Sequence, residues 1–364
     1  MGVAITTKCK TLLGQSMAYR KSKGKLARRK KIQPAVQTLT FNYTVPAAST
    51  DTVFIDLSQC ASLVNRRFYR QGINWAVSGI KFLSNSALST GSLNGSISVQ
   101  KLPETWVMSN AWEKGFRAWQ RMNNEALQES ESVRPRFLDF KIYANSDHHA
   151  AGFGGNLLPL NTLGVPAVVG EWAPSSFRVP DTASATGATQ NREIIATGQN
   201  YPGPGASGFN AVSLIEGYAS SRALPDVLDP NVPADTSSVD GAFPENWLSA
   251  TFNEGTQQTE DVIEDMISEN NIAPYPFEND GASVDTMYPG GANQLSGLQI
   301  HDLEYVTGTT IGGTSRIKGG MFPCGLIGLQ LQNSDSEVAL VHTITIDLVP
   351  GHHRGYLCEP MTEM

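Results

Sequence analysis

Val36-Gln37-Thr38-Leu39-Thr40-Phe41-Asn42-Tyr43-Thr44-Val45 alternates along its length and is rich in β-branched and aromatic side chains. Side chains of a strand point to opposite faces in turn, so this stretch reads as a strand with one buried face. Working outward, similar texture marks Thr52–Leu57, Ile73–Leu83, Gly95–Leu102, Phe137–Ala144, Val165–Trp172, Arg192–Thr197, Phe209–Tyr218, Leu298–Thr307, Phe322–Gln332 and Val338–Val349. Stretches rich in Gly, Pro, Ser and Asn separate them, so the expected class is all-β.

One helix is expected within this series, over residues 111–128. Trp112, Phe116, Trp119 and Met122 make a single apolar stripe, and Asn110 with Glu113 suits an N-cap and capping box. A weaker helix is expected over Thr259–Glu269, with Ile263, Met266 and Ile267 inward. The chain has 364 residues, enough for one large β domain with insertions or for two domains. A hydrophobic fraction of 40% against 17% charged residues suits an ordered chain.

The net charge of −7 conceals a strong asymmetry. Ten of the 27 basic residues fall within residues 1–32, with no acidic one: Lys8, Lys10, Arg20, Lys21, Lys23, Lys25, Arg28, Arg29, Lys30 and Lys31. That leaves 17 basic against 34 acidic residues downstream. Between Arg222 and Arg316 there is no Lys or Arg at all, while 16 Asp or Glu fall there. The chain therefore divides into a basic arm (1–35), a mixed body (36–180), an acidic, loop-rich insertion (181–297) and a final β-rich stretch with the C-terminal tail (298–364).

A cationic arm of this kind repels itself until an anion neutralises it, and nucleic acid supplies the densest line of phosphate charge. Fully extended, it could reach on the order of 120 Å. Binding through it should be salt-sensitive and tolerant of sequence, since only Tyr19 is available for stacking. The blander readings are a solvated tail or a nuclear-import signal.

Motifs for chemistry are sparse. No metallohydrolase, serine-nucleophile, P-loop or dinucleotide fingerprint occurs. Catalytic residues, cofactor and metal are all expected to be none. Cys9, Cys60, Cys324 and Cys358 are far apart and read as ordinary thiols, and the histidines (His148-His149, His301, His342, His352-His353) read as polar loop residues. Gly152-Phe153-Gly154-Gly155 reads as a loop, and the Glu260-Asp261 and Glu264-Asp265 pairs as a solvated helix face. Met1-Gly2 fits the start of a myristoylation pattern, and the insertion's acids could hold calcium between subunits; both motifs are short and common by chance. No run of 18 apolar residues reads as a membrane span.

Trp112-Glu113-Lys114-Gly115-Phe116-Arg117-Ala118-Trp119-Gln120-Arg121-Met122, followed by Phe137-Leu138-Asp139-Phe140-Lys141-Ile142-Tyr143, looks like a helix and strand of one particular group. With the arm, the strand series and the long insertion, the chain resembles the capsid proteins of small circular single-stranded DNA viruses that encode a replication initiator. That resemblance implies a single eight-stranded antiparallel viral jelly roll with one amphipathic helix and a large surface insertion. It implies a non-enzymatic shell protein found in the virion, and in the host nucleus or cytoplasm during assembly. Its partners would be about 60 copies of itself, or a multiple, an unidentified host receptor, and a single-stranded DNA genome held by the ten arm cations named above. Nodavirus-like and tombusvirus-like RNA capsids share the design, which leaves DNA against RNA open. Two readings outside this group fit parts of the pattern: a cellular nucleic-acid-binding β protein with a basic tail, and a carbohydrate-active β-sandwich enzyme.

Overall fold

The alternation beginning at Thr38 becomes β1 (Thr38–Val45), with Leu39, Phe41 and Val45 buried and Thr38, Asn42 and Thr44 exposed. The computed structural model describes residues 35–86, 93–128, 132, 139–180, 189–200, 211–222, 252, 297–308 and 313–364. Within the unit Ala35–Met364 the chain is mostly β, in curled antiparallel sheets.

Seven more long strands follow β1: β2 (Thr50–Asp56), β3 (Ile73–Ser86), β4 (Asn94–Lys101), β8 (Gln299–Thr307), β9 (Thr314–Phe322), β10 (Leu326–Asn333) and β11 (Leu340–Leu348). One sheet runs β1-β11-β3, with β9 on the far side of β3 and short β12 (Cys358–Pro360) pairing the start of β3. The other runs β2-β10-β4-β8. The two bury one shared core. Phe41, Ile80, Phe82, Ile344 and Ile346 come from the first sheet, and Ile55, Ile97, Val99, Leu329 and Leu331 from the second. The register of β11 on β3 slips at Ser78, between the pairs Asp347↔Gly79 and Leu348↔Val77. This bulge presses on β9, where a Cβ on Gly319 would stand 2.3 Å from the carbonyl oxygens of Val77 and Ser78, so only glycine fits there.

A third layer lies behind the second sheet. β4 ends at Lys101 and β8 begins at Gln299, and these residues are register partners, so residues 102–298 are one excursion between neighbouring strands. It carries α2 (Trp106–Gln128), α3 (Ser146–Ala151), a three-stranded sheet and α4 (Leu214–Arg222). That sheet joins β5 (Ser176–Pro180), β6 (Thr189–Ile195) and β7 (Ala211–Ser213), so strand pairing runs across residue 181. The second apolar core gathers Val107, Trp112, Trp119, Phe140, Phe177, Leu214 and Tyr218 against Phe54 and Leu326, on the outer face of the second sheet.

Several expectations need correction. α2 starts at Trp106, not 111: Thr105 Oγ1 accepts from Met108 N at 3.3 Å, and buried Val107, Met108 and Ala111 carry the apolar stripe one turn further. Glu113 pairs with Arg117 instead of capping. Residues 139–144 make only a single bridge, Tyr143↔Ile195, because side chains take the amides on either side of it. Lys141 N donates to Ser175 Oγ, Ile142 N to Gln71 Oε1 and Ala144 N to His148 Nδ1. Residues 165–172 are a loop with one bridge, Leu160↔Pro166. The stretch expected as a strand over Phe209–Tyr218 is β7 followed by α4. Helix α1 (Leu57–Asn65) and strand β9 were not anticipated. The helix expected at Thr259–Glu269 lies outside the described residues.

Candidate functional site

The ten arm cations, Lys8 to Lys31, all lie outside the described residues, as do Gly2, Cys9 and most acids of the insertion. The described chemistry centres instead on Asp56, at the junction of β2 and α1. Its fully buried carboxylate accepts four N–H donors. Oδ1 caps α1 through Ser58 N (2.9 Å) and Gln59 N (3.2 Å), while Oδ2 accepts from Gln71 Nε2 and Trp172 Nε1 (3.0 Å each). Burial pushes its pKa up to about 7, against the pull of these donors.

A second chain of bonds runs beside it. Ala144 N donates to His148 Nδ1, so the ring proton sits on Nε2 and donates to Asn156 Oδ1 at 2.8 Å. Asn156 Nδ2 donates to Gln59 Oε1, and Gln59 Nε2 donates to the Val169 carbonyl. The His148 ring stacks on Phe54 with centroids 4.5 Å apart, and burial lowers its pKa to about 4, so it is a neutral core residue. His149 and His342 are buried as well, which corrects the reading of these three as polar loop residues. His342 Nδ1 meets Ser84 Oγ at 2.8 Å, inside the first sheet.

Both networks anchor the segment 157–172. Leu157 N donates to the Phe54 carbonyl on β2 and Leu160 N to the Thr40 carbonyl on β1, so the segment crosses the open side of the two-sheet stack. Within it, between Leu160 and Val169, the chain projects as a short finger. Asn161 accepts at Oδ1 from Leu163 N and Val165 N, Asn161 N donates to the Val165 carbonyl, and Gly164 sits at φ +73°. Leu163, Val165 and Val168 are exposed on it, and no charged residue occurs from Leu157 to Gly170. That uncharged run with its Asn161 and Gly164 turn residues was the available sequence signal; its β-branched residues read as a strand.

Two further surfaces stand out. A half-open cavity of about 220 Å³ has Trp112, Phe116 and Phe140 as its apolar wall and Arg70, Glu113 and Asp139 at its polar side. Glu113 is engaged by Arg117. Asp139 accepts from Gln71 N and lies 3.6 Å from Lys141 Nζ, with burial raising its pKa. The outer face of the first sheet is polar and basic: exposed Lys81 and Arg316 are register partners across β3 and β9, and Lys318 lies next along β9 on the same face. Threonines 343 and 345 lie beside them on β11. Among the described residues no group of three or more His, Cys, Asp or Glu converges as a metal site, and no helix is long and apolar enough to cross a membrane.

No family model, curated protein or solved structure matches the chain.

Proposed function

We propose that this chain is a viral coat protein: an eight-stranded jelly roll that assembles into a closed shell and packages single-stranded DNA through its basic arm. The observation that carries the reading is the strand order. Number the eight long strands in chain order, leaving aside the strands of the excursion and the C-terminal short pieces. The first sheet then reads 1-8-3-6 and the second 2-7-4-5. This interleaving supports the jelly-roll reading, since two Greek keys folded together give the same order, in an architecture common in capsids and also found in lectins. The basic arm favours the capsid use, since it lies just ahead of strand 1 in the sequence and carries ten cations with no acid within residues 1–32.

The mechanism is physical. Each arm neutralises phosphates by counterion release; about 60 copies would bring roughly 600 positive charges to the genome. The outer face of the first sheet, with Lys81, Arg316 and Lys318, adds three cations to the ten of the arm. The DNA assignment rests on the resemblance of the helix and following segment described above.

Negative-stain imaging of the purified chain tests the reading. Uniform shells with nuclease-protected nucleic acid are expected, and deletion of residues 1–32 should leave assembly possible while abolishing protection. Small particles at every concentration would overturn it in favour of a monomeric nucleic-acid-binding protein. Protected RNA in place of DNA would overturn the genome assignment alone.

A further inference from the structure

The chain ahead of β1 joins the fold at one small hub. Val36 N donates to Asn65 Oδ1 at 3.0 Å, at the end of α1, and the Val36 carbonyl accepts from Tyr356 Oη at 2.6 Å. Asn65 Nδ2 donates to Tyr356 Oη at 2.7 Å and closes the triangle. A Cβ on Gly355 would stand 2.6 Å from that of Ala35. Residues 65–72 and 350–357 supply this hub. Between them they carry Arg66, Arg67, Arg70, Arg354, His352 and His353, and no acid. Buried Tyr69 ties the two segments together. Its hydroxyl donates to the Arg354 carbonyl at 3.1 Å, and its ring centroid lies 5.5 Å from that of Tyr356 and 6.3 Å from that of His353. The Arg354 guanidinium donates back to the Phe68 carbonyl. Burial, then Arg354 and Arg70, hold His353 below its ordinary pKa, so both cations face that ring.

Exposed Arg66, Arg70 and Arg354 have no carboxylate within ion-pair distance among the described residues. The acids of neighbouring elements are placed otherwise. Asp139 is buried and lies 3.6 Å from Lys141 Nζ, Glu359 accepts from Asn74 Nδ2 at 3.2 Å, and exposed Glu171 pairs with none of the three arginines. Residues 1–34, which lead into the hub, hold ten cations and no acid to offer them. We propose that this cluster is a phosphate-binding site at the root of the arm, which takes the backbone of the nucleic-acid strand that the arm gathers; this rests on the coat-protein reading above. Unpaired like charges gathered in one place repel, and an anion between them removes the repulsion. Arginine adds a forked set of donors that matches phosphate oxygens. A strand is favoured over a free phosphate ion because ten further cations are tethered to the same point through Val36, and only a polyanion engages both at once.

Fluorescence anisotropy of the full-length chain with a labelled oligodeoxythymidine tests the site, read as the slope of log affinity against log salt. Each phosphate contact on a single strand contributes about 0.7 to that slope. Arg66→Gln with Arg70→Gln should therefore make it shallower by about 1.4, a loss of roughly 25-fold in affinity at about 0.1 M salt, with an unchanged melting transition. Arg66→Lys with Arg70→Lys keeps both charges and should keep the slope; the same loss in this pair would overturn the site, since packing rather than charge would carry the effect. Arg117→Gln with Arg121→Gln removes equal charge from the exposed face of α2, and an equal loss there would overturn the site in favour of net charge alone. Displacement of the oligonucleotide by millimolar inorganic phosphate, beyond the effect of chloride at equal ionic strength, would overturn the strand as occupant in favour of the free ion. An unchanged slope in the Arg66→Gln, Arg70→Gln chain, as expected if acids of residues 223–296 held the cluster, would overturn the site and leave the coat-protein reading intact. No binding by the unsubstituted chain would overturn the nucleic-acid reading and the site with it.

Discussion

The two largest apolar cores among the described residues are built by different rules. The core between the sheets is made by alternation: β11 buries Leu340, His342, Ile344, Ile346 and Leu348 and turns Val341, Thr343, Thr345 and Asp347 away, every second residue without exception. The core behind the second sheet is made by a helix stripe, short strands and extended backbone whose amides are satisfied by side chains such as Gln71 and Ser175. Repetitive backbone pairing lets the first core depend on packing alone. The second depends on individual polar residues staying in place.

Substitutions that separate packing from polar anchoring sharpen this contrast. The largest effect is expected in the first core: Phe82→Ala, at a fully buried site, should cost about 3–5 kcal/mol in denaturant unfolding. A loss below about 1 kcal/mol would mean that the core between the sheets is loosely packed.

Acid should act on the second core through His148. Its pKa is lowered in the fold to about 4 from 6.5, so its contribution is complete above pH 6.5 and is lost as pH falls through 6.5 towards 4, on the order of 3 kcal/mol in all. Asp56 works in the opposite sense. With its pKa raised to about 7 from 3.8, its contribution is complete below pH 3.8 and lost as pH rises through 7. The difference between wild type and His148→Gln, measured over pH 4–6.5, therefore isolates the histidine. A difference independent of pH would show that His148 does not titrate with folding.

Asp56→Asn should have a smaller effect, about 2 kcal/mol. One oxygen can still cap α1, while the new amide faces the donors of Gln71 and Trp172. Hydrogen exchange should rise around residues 167–172 more than within α1; equal rises would show that the cap, not the finger's anchor, carries the loss. The smallest effect is expected on the solvated face of α2. Arg117→Ala removes an exposed pair with Glu113 and should change stability by only about 0.3–0.5 kcal/mol, resolved by thermal melts at low and high salt.

The same contrast explains what was legible in the sequence. Strands of the first core announce themselves by period two, so β1, β3, β4, β8 and β11 fall close to their expected places. β9 is hidden because Gly319 and Gly320 interrupt its alternation: Gly319 is there because β3 bulges against it, and Gly320 because the His301 ring of β8 lies where a Cβ would stand. In the second core, Lys141, Ile142 and Ala144 looked like strand residues, yet their amides bond to side chains distant in sequence. The N-cap of α1 at Asp56 is hidden because the helix formers Leu57, Gln59, Ala61 and Leu63 alternate with the weak formers Ser58, Cys60, Ser62 and Val64. Of the functional features, the arm is plain from composition alone. The finger is not, because exposure of Leu163 and Val168 is a property of the fold and hydrophobic residues in a sequence carry no label of inside or outside.

Lys101 and Gln299 face each other in register at the point where the chain leaves and re-enters the second sheet. Because closing a loop grows only with the logarithm of its length, doubling such an excursion adds about 0.6 kcal/mol. The two sheets and the intervening 102–298 stretch can thus change at different rates. The excursion over 102–298 could be rewritten or lengthened while the strand frame stays as it is.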